Sequence, residues 1–348
     1  MYVSFWQSLS KPIIGLAPMD GVTDAAFRYI TDKYGKPDVF FTEFIPVEAI
    51  EKGTNRVLPA FLHHRTNTPT VAQIFGHNLK AFYKAAIVAC EMGFDGVDIN
   101  MGCPDKHVVA RGGGAALILQ PNHAGKVIAT VKKAVNDWFN GLTLNSAALS
   151  DEIISFIAFT NKKFYLKGKR RLLPVSLKTR IGFDKIVTKD WISHLIESEP
   201  AAISLHGRTL KQLYSGKADW DEIGKAASLC LKANIVFLGN GDVRSAQEAL
   251  EKAKLYKTSG ILIGRASLGN PWVFKNTVPT LKTRFKVLIE HTKKFMEYKP
   301  YLKLFPMRKH FTWYCKGFEN SAGIRNELMK VSTFNDLEII LSSHKLIS

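Results

Sequence analysis

The residues best suited to do chemistry lie in one stretch, Asp98 to Gly114, with the sequence DINMGCPDKHVVARGGG. It starts as an apolar run ending at Ile99 and breaks at once into Asn100, Gly102, Cys103 and Pro104. Gly102 lets a backbone approach a ligand closely, and Pro104 stiffens the turn just past the thiol. Arg111 and the glycines Gly112, Gly113 and Gly114 follow. A lone cysteine is more often a small buried filler than a reactive group. An Asn-x-Gly-Cys-Pro turn is a poor core position, so Cys103 reads as an active-site thiol.

Such a loop needs a scaffold that places it at the carboxyl end of a strand. Short apolar runs alternate with amphipathic stretches along the chain, the pattern of a parallel sheet wrapped by helices. The strand candidates are residues 13–17, 39–42, 70–74, 96–99, 175–178, 202–205, 235–238 and 260–263. The clearest helical stretches are 79–92, 122–139, 189–198, 221–232 and 244–254. Eight such units within about 275 residues predict an α/β fold, a closed (β/α)8 TIM barrel. Most of the polar and glycine-rich signals follow the strands, at the end where a barrel carries its active site.

Those signals have a common chemistry. Gly239-Asn240-Gly241-Asp242 after strand seven and Gly264-Arg265 after strand eight occupy the two loops that hold phosphate in many barrels. Glycine exposes backbone N–H groups there, and Arg265 can add charge-assisted bonds. Lys178, at the end of strand five, points into the mouth, where an ammonium calls for an anionic or electron-rich partner. Gln73 can read the amide edge of a ring, and His206 can donate to a carbonyl or phosphate. Each alone could be a satisfied polar core residue, but their convergence on one rim points to a phosphorylated ring ligand.

The totals set the limits. The chain has 348 residues, 46% hydrophobic and 22% charged, with a formal net charge of +18. That suits a barrel plus a smaller unit, and the surplus of positive charge points to a polyanionic partner. Cys90, Cys103, Cys230 and Cys315 lie far apart, without ligand spacing, so neither a disulfide framework nor a metal site is expected. A reducing cytoplasm is the natural setting. No secretory leader is read at the N-terminus, and no apolar run approaches the roughly 18 residues of a membrane span. A monomer is expected.

Two segments fall outside the rhythm. Residues 140–171 form a long connection whose DEIISFIAF core reads as an extra helix, with Ser150 as N-cap. It ends in NKKFYLKGKRR, a basic run placed by topology at the bottom of the barrel, where a solvated surface is the expected fate of its charges. Residues 276–348 read as a small C-terminal helical domain, after a barrel at 1–275. Basic residues exceed acidic ones there by seven, interleaved with Phe305, Phe311, Trp313, Tyr314 and Phe318. The aromatics are expected to form that domain's core, leaving Lys303, Arg308, Lys309, Lys316 and Arg325 as a surface for RNA phosphates.

APMDGVTD, QIFG, DINMGCP with GGG, VSLKTR, LHGRT, GNGD and IGR together resemble the tRNA-dihydrouridine synthases. The match runs from about Gly15 to Phe274, and the basic tail is similar to that family's tRNA-binding domain. The resemblance implies FMN held in the barrel, NADPH as reductant and tRNA as partner, with reduction of the C5–C6 bond of a uridine. It makes Cys103 the general acid at C5 and has Asn100 help hold the uracil. Pro18, Met19 and Gln73 would line the flavin, Lys178 would sit at its N1/O2 edge, and His206 would also touch it. Gly239, Asn240, Gly241, Asp242, Gly264 and Arg265 would grip its phosphate, with Arg180 and Arg208 as further contacts to RNA or cofactor. Two alternatives remain at this level. One is a small-molecule FMN oxidoreductase of the dihydroorotate dehydrogenase type, the other a tRNA-binding protein without catalysis.

Overall fold

The structure is a computed structural model, and it describes residues 4–63, 66–164, 166, 170–213, 215–275 and 277–347. Eight strands appear where the apolar runs predict them. They are β1 Ile13–Leu16, β2 Phe40–Pro46, β3 Thr70–Phe75, β4 Gly96–Met101, β5 Val175–Gly182, β6 Ala202–Thr209, β7 Val236–Asn240 and β8 Gly260–Ile263. All pairs are parallel in the order β1-β8-β7-β6-β5-β4-β3-β2. The Leu16 amide donates to Val39 O at 3.0 Å and the Asp38 amide to Ile14 O at 2.9 Å, which brings β1 against the start of β2. The result is a nearly closed TIM barrel with a helical C-terminal region.

The period of two along each strand divides the barrel. Val97, Ile99, Leu177, Ile203 and Leu205 face outward and join the core beneath the helices. A separate apolar cluster fills one end of the barrel. It contains Ile13, Phe41, Val71, Ala202, Val236 and Leu262, with Trp6 buried among them. Farther along the same strand faces the residues become polar: Gln73, Asp98, Asn100, Ser176, Lys178, Ser204 and His206. The barrel is thus greasy at the bottom and polar at the mouth.

β5 and β6 run four residues past their predicted ends, so Arg180 and Arg208 belong to strands rather than to the loops beyond them. Ladder bonds carry that extension, Arg180 lying opposite His206. Strand rigidity therefore fixes the cationic side chains of the mouth.

The 140–171 connection holds the predicted helix, Asp151–Phe164, and the Ile153 amide donates to Ser150 Oγ at 3.4 Å. Its Ile153 and Ile157 are buried in the main core. Of the basic run, residues 165 and 167–169 lie outside the described residues. Its last two charges are exposed, as expected, and also find partners in the chain. Arg170 donates to Leu142 O at 2.9 Å and lies 5.0 Å from the Trp138 ring, while Arg171 is paired with Asp95. Both guanidiniums stay open to water while they make these contacts.

The C-terminal helices Leu281–Tyr298, Arg308–Tyr314, Ser321–Leu328 and Phe334–Ser343 do not pack only on one another. Phe285, Leu288, Phe295, Phe311 and Tyr314 share a cluster with Ala25, Ala26 and Ile30 of the barrel helix Ala25–Tyr34. Phe305, read as a core aromatic, is 51% exposed instead, with the Arg308 guanidinium 4.4 Å from its ring. Among the described residues, no helix is long and apolar enough to cross a membrane.

Candidate functional site

The loop after β4 is held by its own asparagine. Asn100 Oδ1 accepts from the Gly102 amide at 2.9 Å and from the Cys103 amide at 2.8 Å. The short side chain closes the turn that the strand can no longer support. Arg180 Nε donates to Gly102 O at 2.7 Å, and the Ala115 amide donates to Cys103 O at 3.1 Å. Gly114 closes the loop at φ +57, where an added Cβ would stand 2.8 Å from Cys103 O. Cys103 is 7% exposed. Every backbone polar group flanking the thiol is thus partnered, and Sγ is fixed at the mouth.

Behind the loop runs a buried chain of hydrogen bonds. Asn100 Nδ2 donates to Gln73 Oε1 at 2.9 Å, and Gln73 Nε2 donates to Asp98 Oδ2 at 2.6 Å. Ser176 Oγ donates to Asp98 Oδ1 at 2.6 Å. Gln73 is wholly buried and Asn100 nearly so. Both amides, expected to meet ring or uracil, already spend side-chain atoms on this chain. Each keeps one N–H for a ligand.

Across the mouth the charge is positive. Burial and the neighbouring Arg180 bring the Lys178 ammonium down to about 8, against the pull of Asp98. Burial pushes the Asp98 carboxyl up to about 6, opposed by its bonds to Ser176 and Gln73 and by Lys178. Lys178 makes no hydrogen bond or ion pair among the described residues. His206 is driven well below its ordinary value by burial, then by Lys178, Arg180, Arg208 and Arg265, so it is a neutral imidazole. Burial raises the Cys103 thiol, as do the carboxylates of Asp105 and Asp20, while the Asp105 amide and Arg180 pull it back. The thiol therefore carries its proton at neutral pH.

The phosphate loops keep their predicted place with altered roles. Gly241 at φ +134 and Asp242 at φ +55 turn the chain sharply after β7. Asp242 points its carboxylate at two arginines, Arg208 at 2.6 Å and Arg265 at 2.7 Å. It orients cations; like charge keeps it from holding a phosphate itself. Arg208 is 2% exposed and also donates to Gly216 O at 2.7 Å, so it stiffens the rim. Gly239 is required by packing, since a Cβ there would stand 2.9 Å from the Trp220 ring. Asn240 Nδ2 donates to Leu262 O at 2.8 Å, which ties β7 to β8. A Cβ on Gly264 would lie 3.7 Å from Met19 Sδ, which brings Met19 and the buried Pro18 to the same side of the mouth.

The tail cations divide. Lys303 is exposed, whereas Arg308 donates to Val331 O at 2.8 Å and Lys330 O at 3.2 Å. Arg325 donates to Cys315 O at 3.0 Å. Lys309 reaches the barrel and donates to Gly21 O in the loop after β1. Arg308 and Arg325 thus serve the tail's own fold, and Lys309 stands at the mouth.

Sequence reasoning assigned no role to Asp98 or Ser176, although alternation along β4 and β5 puts them on the inner face beside Asn100 and Lys178. It also missed a buried charge cluster between barrel and tail. Lys299 pairs with Asp24 at 2.9 Å and lies 3.8 Å from Glu43. Burial and the nearby Asp24 push Glu43 up to about 7. Burial also works against Asp24, but Lys299 and the Phe27 amide hold that carboxyl down at about 2. No local pattern could reveal a contact spanning so much sequence. Among the described residues, no group of three or more His, Cys, Asp or Glu is arranged to hold a metal ion.

A family profile described as Dihydrouridine synthase (Dus) matches residues 15–145 and 166–347. A Staphylococcus aureus (strain MRSA252) protein named probable tRNA-dihydrouridine synthase is 31% identical over 350 residues, covering 98% of this chain and 95% of its own. Its Bacillus subtilis (strain 168) counterpart, probable tRNA-dihydrouridine synthase 2, is 29% identical over 355 residues, covering 98% and 96%. The crystal structure of DHODH from Eimeria tenella in complex with ferulenol aligns with TM-score 0.41 and 11% identity, over 71% of this chain and 63% of that one. So weak a likeness says nothing about activity.

Proposed function

The chain belongs to the dihydrouridine synthase family of oxidoreductases, and on that premise we propose that it reduces the C5–C6 bond of a uridine in tRNA. The observation that carries the proposal is the Cys103 thiol, kept protonated and fixed by Asn100 at a mouth whose opposite wall is cationic.

FMN fits the residues present. Lys178 is half-buried, and its ammonium has no bonded partner among the described residues, which suits the electron-rich N1/O2 edge of a flavin. Arg265, with the backbone of residues 239–242 and 264, would hold the single phosphate. Pro18, Met19 and His206 would bound the ring, and Gln73 has one N–H left for its amide edge. When bound, the flavin would supply a hydride to C6 of the uracil, having drawn it from NADPH. Lys178 offsets negative charge as it builds at the ring edge. His206 remains neutral beside it and can give a hydrogen bond without adding charge.

Cys103 Sγ–H gives its proton to C5, and the bond between C5 and C6 becomes single. An ordinary thiol pKa near 8.5, raised further here, keeps the donor loaded at neutral pH. The thiolate left behind recovers its proton from water through the open mouth. Asn100 keeps the thiol in place and has one Nδ2 hydrogen for a uracil oxygen. Residues 1–275 would carry this chemistry and residues 276–348 would hold tRNA in the cytoplasm, with Lys303 and Lys309 on phosphate.

The test is mass mapping of tRNA nucleosides from cells with and without the gene, paired with purification of the protein. A yellow protein that releases FMN and restores a missing dihydrouridine supports the reading. A colourless protein that cannot take up flavin, or unchanged dihydrouridine in the deletion, overturns it.

A further inference from the structure

A second cleft, of about 280 Å³, opens outside the barrel mouth on the far side of the Cys103 loop. Pro46 and Phe75 give it an apolar floor, and Lys52, His107 and Arg111 stand on its rim. All three rim side chains are exposed, and Lys52 and Arg111 make no ion pair among the described residues. One carboxylate, Glu48, lies in the lining and is bonded through Oε1. It accepts from the His77 amide at 2.7 Å and the Asn78 amide at 3.2 Å, and meets the His77 ring at 3.1 Å. Lys52 and Arg111 outnumber that one carboxylate, so the lining is net positive.

The cleft and the thiol share a wall. A Cβ on Gly113, which lines the cleft, would stand 2.7 Å from Gly76 O. One on the next residue, Gly114, would stand 3.0 Å from Cys103 Cβ. Whatever occupies the cleft therefore lies one loop's thickness from the proton donor. Phe75 is braced edge-on against Phe44, with ring centroids 6.3 Å apart, so the floor is firm.

We propose that this cleft is a subsite for the nucleotide that adjoins the target uridine. Its base lies against Phe75 and Pro46, and its phosphate is held by Arg111 and Lys52. The inference rests on the tRNA uridine reduction proposed above. A uridine can reach Cys103 only when unstacked from its strand, and its neighbour is then unstacked on one face as well. Single-stranded RNA is recognised by this combination of an aromatic or apolar surface for the base and cations for the backbone. The volume lies just below the roughly 300–1,000 Å³ of ligand pockets, which suits one nucleotide better than a whole dinucleotide. Binding there would set the uridine over the thiol by holding the strand on its other side.

The test compares Lys52→Ala/Arg111→Ala with wild-type protein, both loaded with FMN. The double variant should raise the KM for tRNA by on the order of tenfold and lower the salt dependence of tRNA binding by up to about two units of slope. Flavin content, melting temperature and the KM for NADPH, with dioxygen as acceptor, should stay unchanged. Ala49→Trp, which fills the cleft without altering charge, should raise the KM for tRNA alike. Unchanged tRNA affinity in both variants would overturn the proposal. So would a raised KM for NADPH with tRNA binding intact, which would give the cleft to the reductant's adenosine. If wild-type protein forms no dihydrouridine, filter binding of a tRNA transcript still tests the cleft. Weaker binding by both variants would then support the subsite while the activity reading alone fails.

Discussion

Asn100→Ala removes the acceptor that closes the Cys103 loop together with the donor to Gln73, and its cost can be worked from three bonds. The Gly102 and Cys103 amides, at 2.9 and 2.8 Å from Asn100 Oδ1, would lose their partner together. A buried donor left unsatisfied costs about 1–3 kcal/mol. The Cys103 amide is buried and carries that full cost, while Gly102 is half-buried and can turn to water. Gln73 Oε1, also buried, loses the Asn100 Nδ2 donor, so the sum is roughly 3–6 kcal/mol if the loop stays in place. Because the loop sits at the rim, it can relieve part of this by opening locally, so urea denaturation should report a smaller loss.

Activity should register what stability does not. A misplacement of about 1 Å can cost on the order of 10²-fold in rate. Stopped-flow mixing with NADPH should show flavin reduction near the wild-type rate. Oxidation of the reduced flavin by tRNA should slow by about 10²-fold. Asn100→Asp keeps both acceptor bonds and loses the Nδ2 donor, so it separates the cap from the bond to Gln73 and any contact with uracil. Should Asn100→Ala oxidise with tRNA at the wild-type rate, the cap does not position the thiol. Were Asn100→Asp as slow as Asn100→Ala, the donor rather than the cap would carry the effect.

Four further outcomes are expected from the same geometry. Cys103→Ala should leave flavin content and NADPH oxidation unchanged while uridine reduction, monitored by tRNA nucleoside analysis, falls by about 10²–10⁴-fold. Lys178→Met should weaken FMN retention on gel filtration, since the ring edge loses its ammonium; a fully yellow variant would contradict that role. Lys299→Met takes away the ion-pair partner of the buried Asp24, leaving Arg28 as a remaining cation in the cluster, and should cost up to about 3–5 kcal/mol in urea denaturation. Burial holds His291 down at about 4, so it is neutral when folded and protonates near 6.5 when unfolded. Stability tied to it is present above about 6.5 and lost as pH falls toward 4, by roughly 3 kcal/mol. His291→Phe should flatten that part of the pH–stability curve.

The barrel was legible because its signal is local. Eight apolar runs with polar ends specify strands and the mouth, and the thiol loop could be read from Asn100 to Gly114 without any contact map. What the residues do to one another was less legible. Asp242 looks from sequence like one more phosphate-loop residue, yet its carboxylate faces Arg208 and Arg265. Gly239 looks like a phosphate glycine, and its constraint comes from Trp220 packed beneath it. Arg308 looks like a free RNA cation, and its guanidinium is bonded to the carbonyls of Lys330 and Val331. In each case the residue type announces a charge or a gap, and the partner that decides its role lies elsewhere in the chain.

The helix Asp151–Phe164 shows the same division at the level of the fold. The family profile passes over residues 146–165, so this helix is an addition to the common pattern. Among the described residues between β2 and β3 there are only the short helix Val47–Glu51 and the 3-10 turn Asn55–Phe61, which contains Pro59. Proline and a tight turn cannot build the full helix that would cover this flank. The added helix buries Ile153 and Ile157 in the main core, and Asn161 Nδ2 donates to Glu91 O at 2.9 Å. At its end Phe164 stacks on Tyr298, the last residue of the first C-terminal helix, at 5.1 Å. One residue farther on, Lys299 enters the Asp24 and Glu43 cluster. The insertion therefore braces the base of the tail next to the ion pair that joins it to the barrel. Its sequence position, far from every catalytic motif, conceals that connection.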